Sequence, residues 1–160
     1  MPLASLMRPA RLRRLTAGER SLAAEVFGPA LNAGPVRLFA LPRFGRAFVA
    51  GPSLIVWPAS SARLDFADPA TPLGAQATFV HELTHVWQAQ RGVNLLMAKL
   101  RAGDGAAAYA YGEPGAADFF ELNIEQQAML VEHAFLARRG QSAPFPAERY
   151  LAALPGLMRA

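Results

Sequence analysis

Apolar residues recur along this chain with two periods. After Thr16 they fall at Leu22, Ala23, Val26 and Phe27, a helical spacing, and Gly28 follows. Thr16 and Glu19 stand as a capping box with Leu15 as staple, so a helix is expected over 17–27. Asn32 to Pro35 is a turn. Three short apolar runs come next, at 36–41, 47–50 and 53–57, the last two joined by Gly51-Pro52. They read as strands of a small sheet. Residues 58–74 read as loop. A long helix is then expected over 74–91, stopped by Gly92, and a short one over 94–102. Residues 103–115 are rich in glycine and alanine and read as a flexible connection carrying Tyr109 and Tyr111. A last major helix is expected over 123–139, stopped by Gly140. Pro144, Pro146 and Pro155 limit the remaining chain to a short helix near 147–153. The pattern divides into a basic arm at 1–14, one domain at 15–140 and a proline-containing tail at 141–160.

Composition adjusts this outline in three places. At 160 residues and 52% hydrophobic the chain can bury a real core. It has no cysteine, which excludes disulfides, thiol nucleophiles and cysteine-based zinc sites. Its basic residues are 15 arginines and the single Lys99, a bias that reflects genome composition more than chemistry. Residues 1–20 hold five arginines against Glu19 alone, which accounts for the whole net charge of +4. Such an arm can touch nucleic acid or an anionic surface. No aromatic residue is interleaved with Arg8–Arg14 to stack on bases, so the expectation is a frayed, solvated terminus whose removal leaves folding intact. Arg13-Arg14 is followed by Leu-Thr-Ala-Gly-Glu-Arg and not by an apolar run, so no export signal is read there. The most apolar stretch, 47–57, is too short to span a bilayer. The expected location is cytoplasmic, or outside the cell by delivery without a recognisable signal peptide.

The chemistry concentrates in His81-Glu82-Leu83-Thr84-His85. On a helix, residues four apart stand on one face, so His81 and His85 can share a metal ion. Glu82 projects about 100° away, beside the place of a metal-bound water, as a general base requires. The same helix carries Phe79, Val80, Leu83, Val86 and Trp87 on its apolar side and Thr78, His81, His85 and Gln88 on the other. Trp87 reads as core. Catalytic zinc takes three protein ligands, and the next-turn positions are Gln88 and Arg91, so the third ligand comes from elsewhere. Glu125 ranks first, in the opening turn of a helix that is apolar over most of its circumference. Glu121, Glu132 and His133 remain alternatives. Tyr109 or Tyr111 is placed as a donor to an oxyanion, Asp118 as a carboxylate orienting an imidazole, and Gln88 as a hydrogen-bonding neighbour of the site.

The segment His81 to Gln88 resembles the zincin-like, Vgr-related proteins and is similar to the core domain associated with extracellular contractile injection systems. Leu15 to Glu19, Val26-Phe27-Gly28 and Asn123 to Ala128 extend the resemblance over 13–139. It implies an α+β, minimal zincin-like metallopeptidase fold: a small sheet packed on the His-Glu-x-x-His helix and a second, glutamate-bearing helix. The Glu-x-x-Ala pattern of similar peptidases, matched at Glu125–Ala128, implies Glu125 as third ligand. The implied activity is zinc-dependent peptide hydrolysis of the gluzincin type, acting on a peptide or protein, with a secretion-system or effector partner. The strand 53–57 is expected to be the edge on which a peptide pairs. The alternative is a zinc-stabilised module of a secretion or toxin-delivery system without catalysis.

Overall fold

A computed structural model describes residues 5–159. The expected helices form because each has its own start and stop. Helix α1, Ala17–Phe27, opens on the capping box: Thr16 Oγ1 accepts from Glu19 N at 3.0 Å and Glu19 Oε2 accepts from Thr16 N at 2.9 Å. Helix α2, Leu73–Gln90, ends where Gly92 takes a φ of +91°. There Val93 N donates to Gln88 O and Gly92 N to Ala89 O, a Schellman closure. Helix α3, Leu95–Ala102, starts on Asn94, whose side chain accepts from Met97 N. Helix α4, Ile124–Arg138, starts on an Asn123–Gln126 capping box and ends on Gly140 by the same closure as α2. Helix α5 is Ala147–Ala153.

The sheet has four strands: β1, Leu12–Arg14; β2, Arg37–Leu41; β3, Phe48–Val49; and β4, Leu54–Pro58. Their order is β1-β2-β4-β3. β1 and β2 are antiparallel, β2 and β4 parallel with Leu38 opposite Ile55, and β3 and β4 antiparallel with Phe48 opposite Val56. Among the described residues the architecture is thus α+β, a small mixed sheet with five α-helices. The β3–β4 hairpin inserts β4 beside β2, so β4, expected at the edge, lies inside the sheet, and β1 and β3 are its edge strands.

Helix α2 runs through the centre, buried from Phe79 to Gln88 on every side. It packs against the sheet, α1 and α4. Trp57, Phe66 and Phe79 stack at its start, with centroids 4.3 and 4.9 Å apart. Trp87 is core, as expected.

Both ends of the described residues are built into this body. Residues 1–4 of the expected basic arm lie outside the described residues. The rest is not a frayed terminus: residues 5–7 run beside 62–64, Met7 is buried, and 12–14 pair with β2. Arg13 makes a bidentate ion pair with Glu19, both N···O distances 2.7 Å, and Glu19 is fully buried. A buried carboxylate needs such a partner, which is why the arm is held. The 141–159 part of the expected tail likewise belongs to the core, residue 160 lying outside the described residues. Tyr150, Leu154, Leu157 and Met158 are buried, and Met158 N donates to Val26 O. Among the described residues no helix is long and apolar enough to cross a membrane.

Candidate metal centre

The two long helices bring the chemistry together. His81 and His85 project from one face of α2, one turn apart, with ring centroids 4.9 Å apart. Glu125 projects towards them from the first turn of α4. Its Oε2 lies 3.2 Å from His81 Nε2 and 3.3 Å from His85 Nε2. One ligand atom from each of the three lies within 4.8 Å of the others, and all three residues are buried.

The outward nitrogens of both rings are held. His81 Nδ1 is 2.9 Å from Glu132 Oε2. A carboxylate oxygen accepts, so Nδ1 carries a proton, which leaves Nε2, 3.2 Å from Glu125 Oε2, as the nitrogen a metal ion would take in place of a proton. His85 Nδ1 is 2.8 Å from Gln88 Oε1. The Gln88 amide is itself fixed, because its Nε2 donates to Ile124 O at 3.0 Å and to Gln127 Oε1 at 2.9 Å. Its oxygen therefore faces the imidazole, and in His85 too Nε2 is left as the nitrogen a metal ion would take.

Three ligand atoms thus converge, the Nε2 atoms of two imidazoles and a carboxylate oxygen. Three oxygen and nitrogen donors suit a divalent metal. The ionisation equilibria show how strongly the three groups interact. Burial opposes charge on His81, yet Glu125 and Glu132 push its pKa up to about 9. Burial also opposes charge on Glu125, but His81, His85 and Lys99 hold it well below the usual carboxylate range. The residues fit a metal ion.

Glu82 lies beside them, one residue from His81, and is nearly fully buried. Burial raises its pKa. Among the described residues its Oε2 has no hydrogen-bond partner. A buried carboxylate oxygen without a partner is costly.

A groove of about 810 Å³ opens over these residues. It is lined by Phe44, Phe48, Val49 and Pro52, by Val93, Leu96 and Lys99, and by His81, Glu82, His85 and Glu125. Ala50 N donates to Leu54 O, so the alternation along β3 turns the backbone N–H and C=O of Val49 away from β4.

The other residues named from sequence divide. Gln88 meets the site. Glu132 sits behind His81 and does not occupy the third-ligand position. Glu121 is exposed in a 3-10 turn, Phe119–Glu121. Asp118 caps that turn, accepting from Phe120 N, and orients no imidazole. Tyr111 is turned away: its hydroxyl meets His133 Nδ1 and Tyr150 Oη, so neither Tyr111 nor His133 joins the His81, His85 and Glu125 group. Burial fills that side with an aromatic cluster instead. Tyr109 does not line the groove; its hydroxyl accepts from Lys99 Nζ at 3.0 Å and from Arg46. The 103–115 connection is anchored by these contacts and contains a 3-10 turn, Ala106–Ala108.

Sequence reasoning missed Lys99. Its Nζ is 2.8 Å from Glu125 Oε1 and 3.2 Å from Asp104 Oδ1. The available signal was its rarity, one lysine in a chain that otherwise uses arginine.

Comparison with known proteins places this geometry. No family model matches the chain. The type VI secretion system spike protein VgrG2b of Pseudomonas aeruginosa is 36% identical over 137 residues, 79% of this chain. The chain spans only 13% of the length of that spike protein. A solved structure, the effector domain of Pseudomonas aeruginosa VgrG2b, superposes with a TM-score of 0.68 at 31% identity. The match covers 94% of this chain and 86% of that one, so the likeness is to the domain as a unit. The chain belongs to the family of the VgrG2b effector domain.

Proposed function

We propose that the chain is an effector module of a type VI secretion apparatus and that its groove hydrolyses peptide bonds with a zinc ion held by His81, His85 and Glu125. The observation that carries this reading is the buried Glu82 Oε2, without a hydrogen-bond partner among the described residues, in the same groove as three converging ligand atoms. A zinc ion in that position would polarise a carbonyl and acidify water.

The rest of the work falls to the chain's own residues. Glu82 takes a proton from water held in the groove and later passes it to the leaving amine. Glu132 and Gln88 keep the two imidazoles in the tautomer that presents Nε2. The edge β3, through the free backbone groups of Val49, pairs with an extended peptide and lays it in the groove. The apolar lining excludes water around the reacting bond. Kinship with a domain of a spike protein supports delivery by such an apparatus as the biological setting.

A module that keeps the metal for stability alone would need His81, His85 and Glu125 but not Glu82. The test therefore measures metal and cleavage together. Purified protein should hold about one zinc per chain, and His81→Ala/His85→Ala should hold almost none. Wild type should cleave an unstructured protein, and Glu82→Gln should retain zinc but lose cleavage. Equal, near-zero zinc in wild type and the double variant overturns the metal reading. Zinc binding with no cleavage by either wild type or Glu82→Gln leaves the non-catalytic module.

A further inference from the structure

Glu125 uses its two oxygens for two different tasks. Oε2 faces the His81 and His85 Nε2 atoms at 3.2 and 3.3 Å. Oε1 faces away and accepts from Lys99 Nζ at 2.8 Å. Lys99 comes from a different element, α3, and its ammonium is itself fixed. Its other partners are the Tyr109 hydroxyl at 3.0 Å and Asp104 Oδ1 at 3.2 Å, so three N–H donors have three acceptors. The Tyr109 ring also lies beneath it, 5.0 Å from Nζ to the centroid. Arg46, which also lines the groove, donates to the same hydroxyl and approaches Asp104 at 3.7 Å.

A carboxylate free to rotate can offer a metal both oxygens. The second oxygen would then fill the position that a catalytic site keeps open for water or substrate. Anchoring Oε1 to an ammonium prevents that rotation. The ammonium does not serve by strengthening metal binding, because a positive charge one carboxylate away from a dication opposes it. What Lys99 offers the site is geometry.

Resting on the metal reading above, we propose that Lys99 is a positioning residue that restrains Glu125 to a single metal-facing oxygen and so keeps a coordination position open. Tyr109 and Asp104 complete the device by holding the ammonium in place.

Cobalt(II) provides the test, since its visible absorption is more intense in four-coordinate than in five-coordinate sites. The full chain is stripped of metal and titrated with cobalt(II) alone. Wild type should give the intense band. Lys99→Met should bind cobalt at least as tightly as wild type, yet show a several-fold weaker band as Glu125 supplies its second oxygen. Because the chain has no cysteine, Lys99→Cys can be alkylated selectively with bromoethylamine, which restores an ammonium at nearly the same reach. The band should weaken in Lys99→Cys and recover after alkylation, with circular dichroism showing all forms folded. Identical bands in wild type and Lys99→Met, or failure of the alkylated protein to recover the band, would overturn the proposal. So would loss of cobalt binding in a folded Lys99→Met protein, which would assign the residue to affinity. Wild type that binds no cobalt or zinc would instead overturn the metal reading on which it rests.

Discussion

Replacing Gln88 by Met keeps an unbranched side chain of similar length while removing both polar atoms. Gln88 is almost fully buried, with 1% of its surface exposed. Its three hydrogen bonds, to His85 Nδ1, Ile124 O and Gln127 Oε1, are therefore not replaced by water. At about 1 kcal/mol each the loss is about 3 kcal/mol. For a domain of this size that is a fall in melting temperature of about 6–12 °C. The same change frees the His85 ring to turn and to adopt the other tautomer, so zinc affinity should fall about 10–100-fold. The two effects separate experimentally. The metal-free protein, melted in chelator, reads the packing loss alone. Competition with a chromophoric chelator reads the affinity. The zinc-loaded protein should lose more melting temperature than the metal-free one, because weaker binding contributes less stabilisation at fixed zinc. A metal-free melting temperature within 2 °C of wild type (roughly one packing contact's worth), together with unchanged zinc affinity, would refute the assignment of Gln88 as the link between α2, α4 and the imidazole.

Three further outcomes are expected from the geometry. Glu125→Ala should weaken zinc binding more than Glu132→Ala, whose loss through the His81 ring should be about 10–100-fold; the reverse order in chelator competition would make Glu132 the ligand. Arg13→Ala should destabilise the fold by about 3–5 kcal/mol, because it leaves Glu19 buried with only the Thr16 and Phe66 backbone donors; denaturant unfolding that shifts by less than about 1 kcal/mol would return the arm to a solvated terminus. Burial lowers the pKa of His133 below 6.5, so between its folded value and 6.5 the unfolded chain binds more protons than the native one. The stability His133 contributes is intact above pH 6.5 and is lost as pH falls through the folded value; wild type should lose more melting temperature on acidification than His133→Gln, and parallel curves would count against it.

Helices α1 and α5 were legible to the residue, at 17–27 and 147–153, because caps, glycines and prolines act locally. So were the ends of α2 and α4 at Gly92 and Gly140. The pairing of His81 with His85 followed from helical spacing alone. Glu125 needed more, since nothing local states which of several carboxylates faces a distant helix. Its burial and first-turn position ranked it, and the packing of α4 on α2 brought it to the imidazoles.

Sequence by itself determined the elements and the two-histidine face, because backbone capping and 3.6-residue periodicity reach only a few residues along the chain. Tertiary structure alone decided the order of the sheet, which put β3 and not β4 at the edge. It also decided that Leu12–Arg14, with no apolar alternation of their own, become a strand through pairing with β2 and the Arg13–Glu19 contact. The division of labour around the centre was decided in the same way. Glu132 and Gln88 lie behind the rings, Lys99 behind Glu125, and Tyr111 and Asp118 face elsewhere. These depend on which side chains from separate elements meet across the core, and such contacts are set by packing over the whole fold rather than by local pattern.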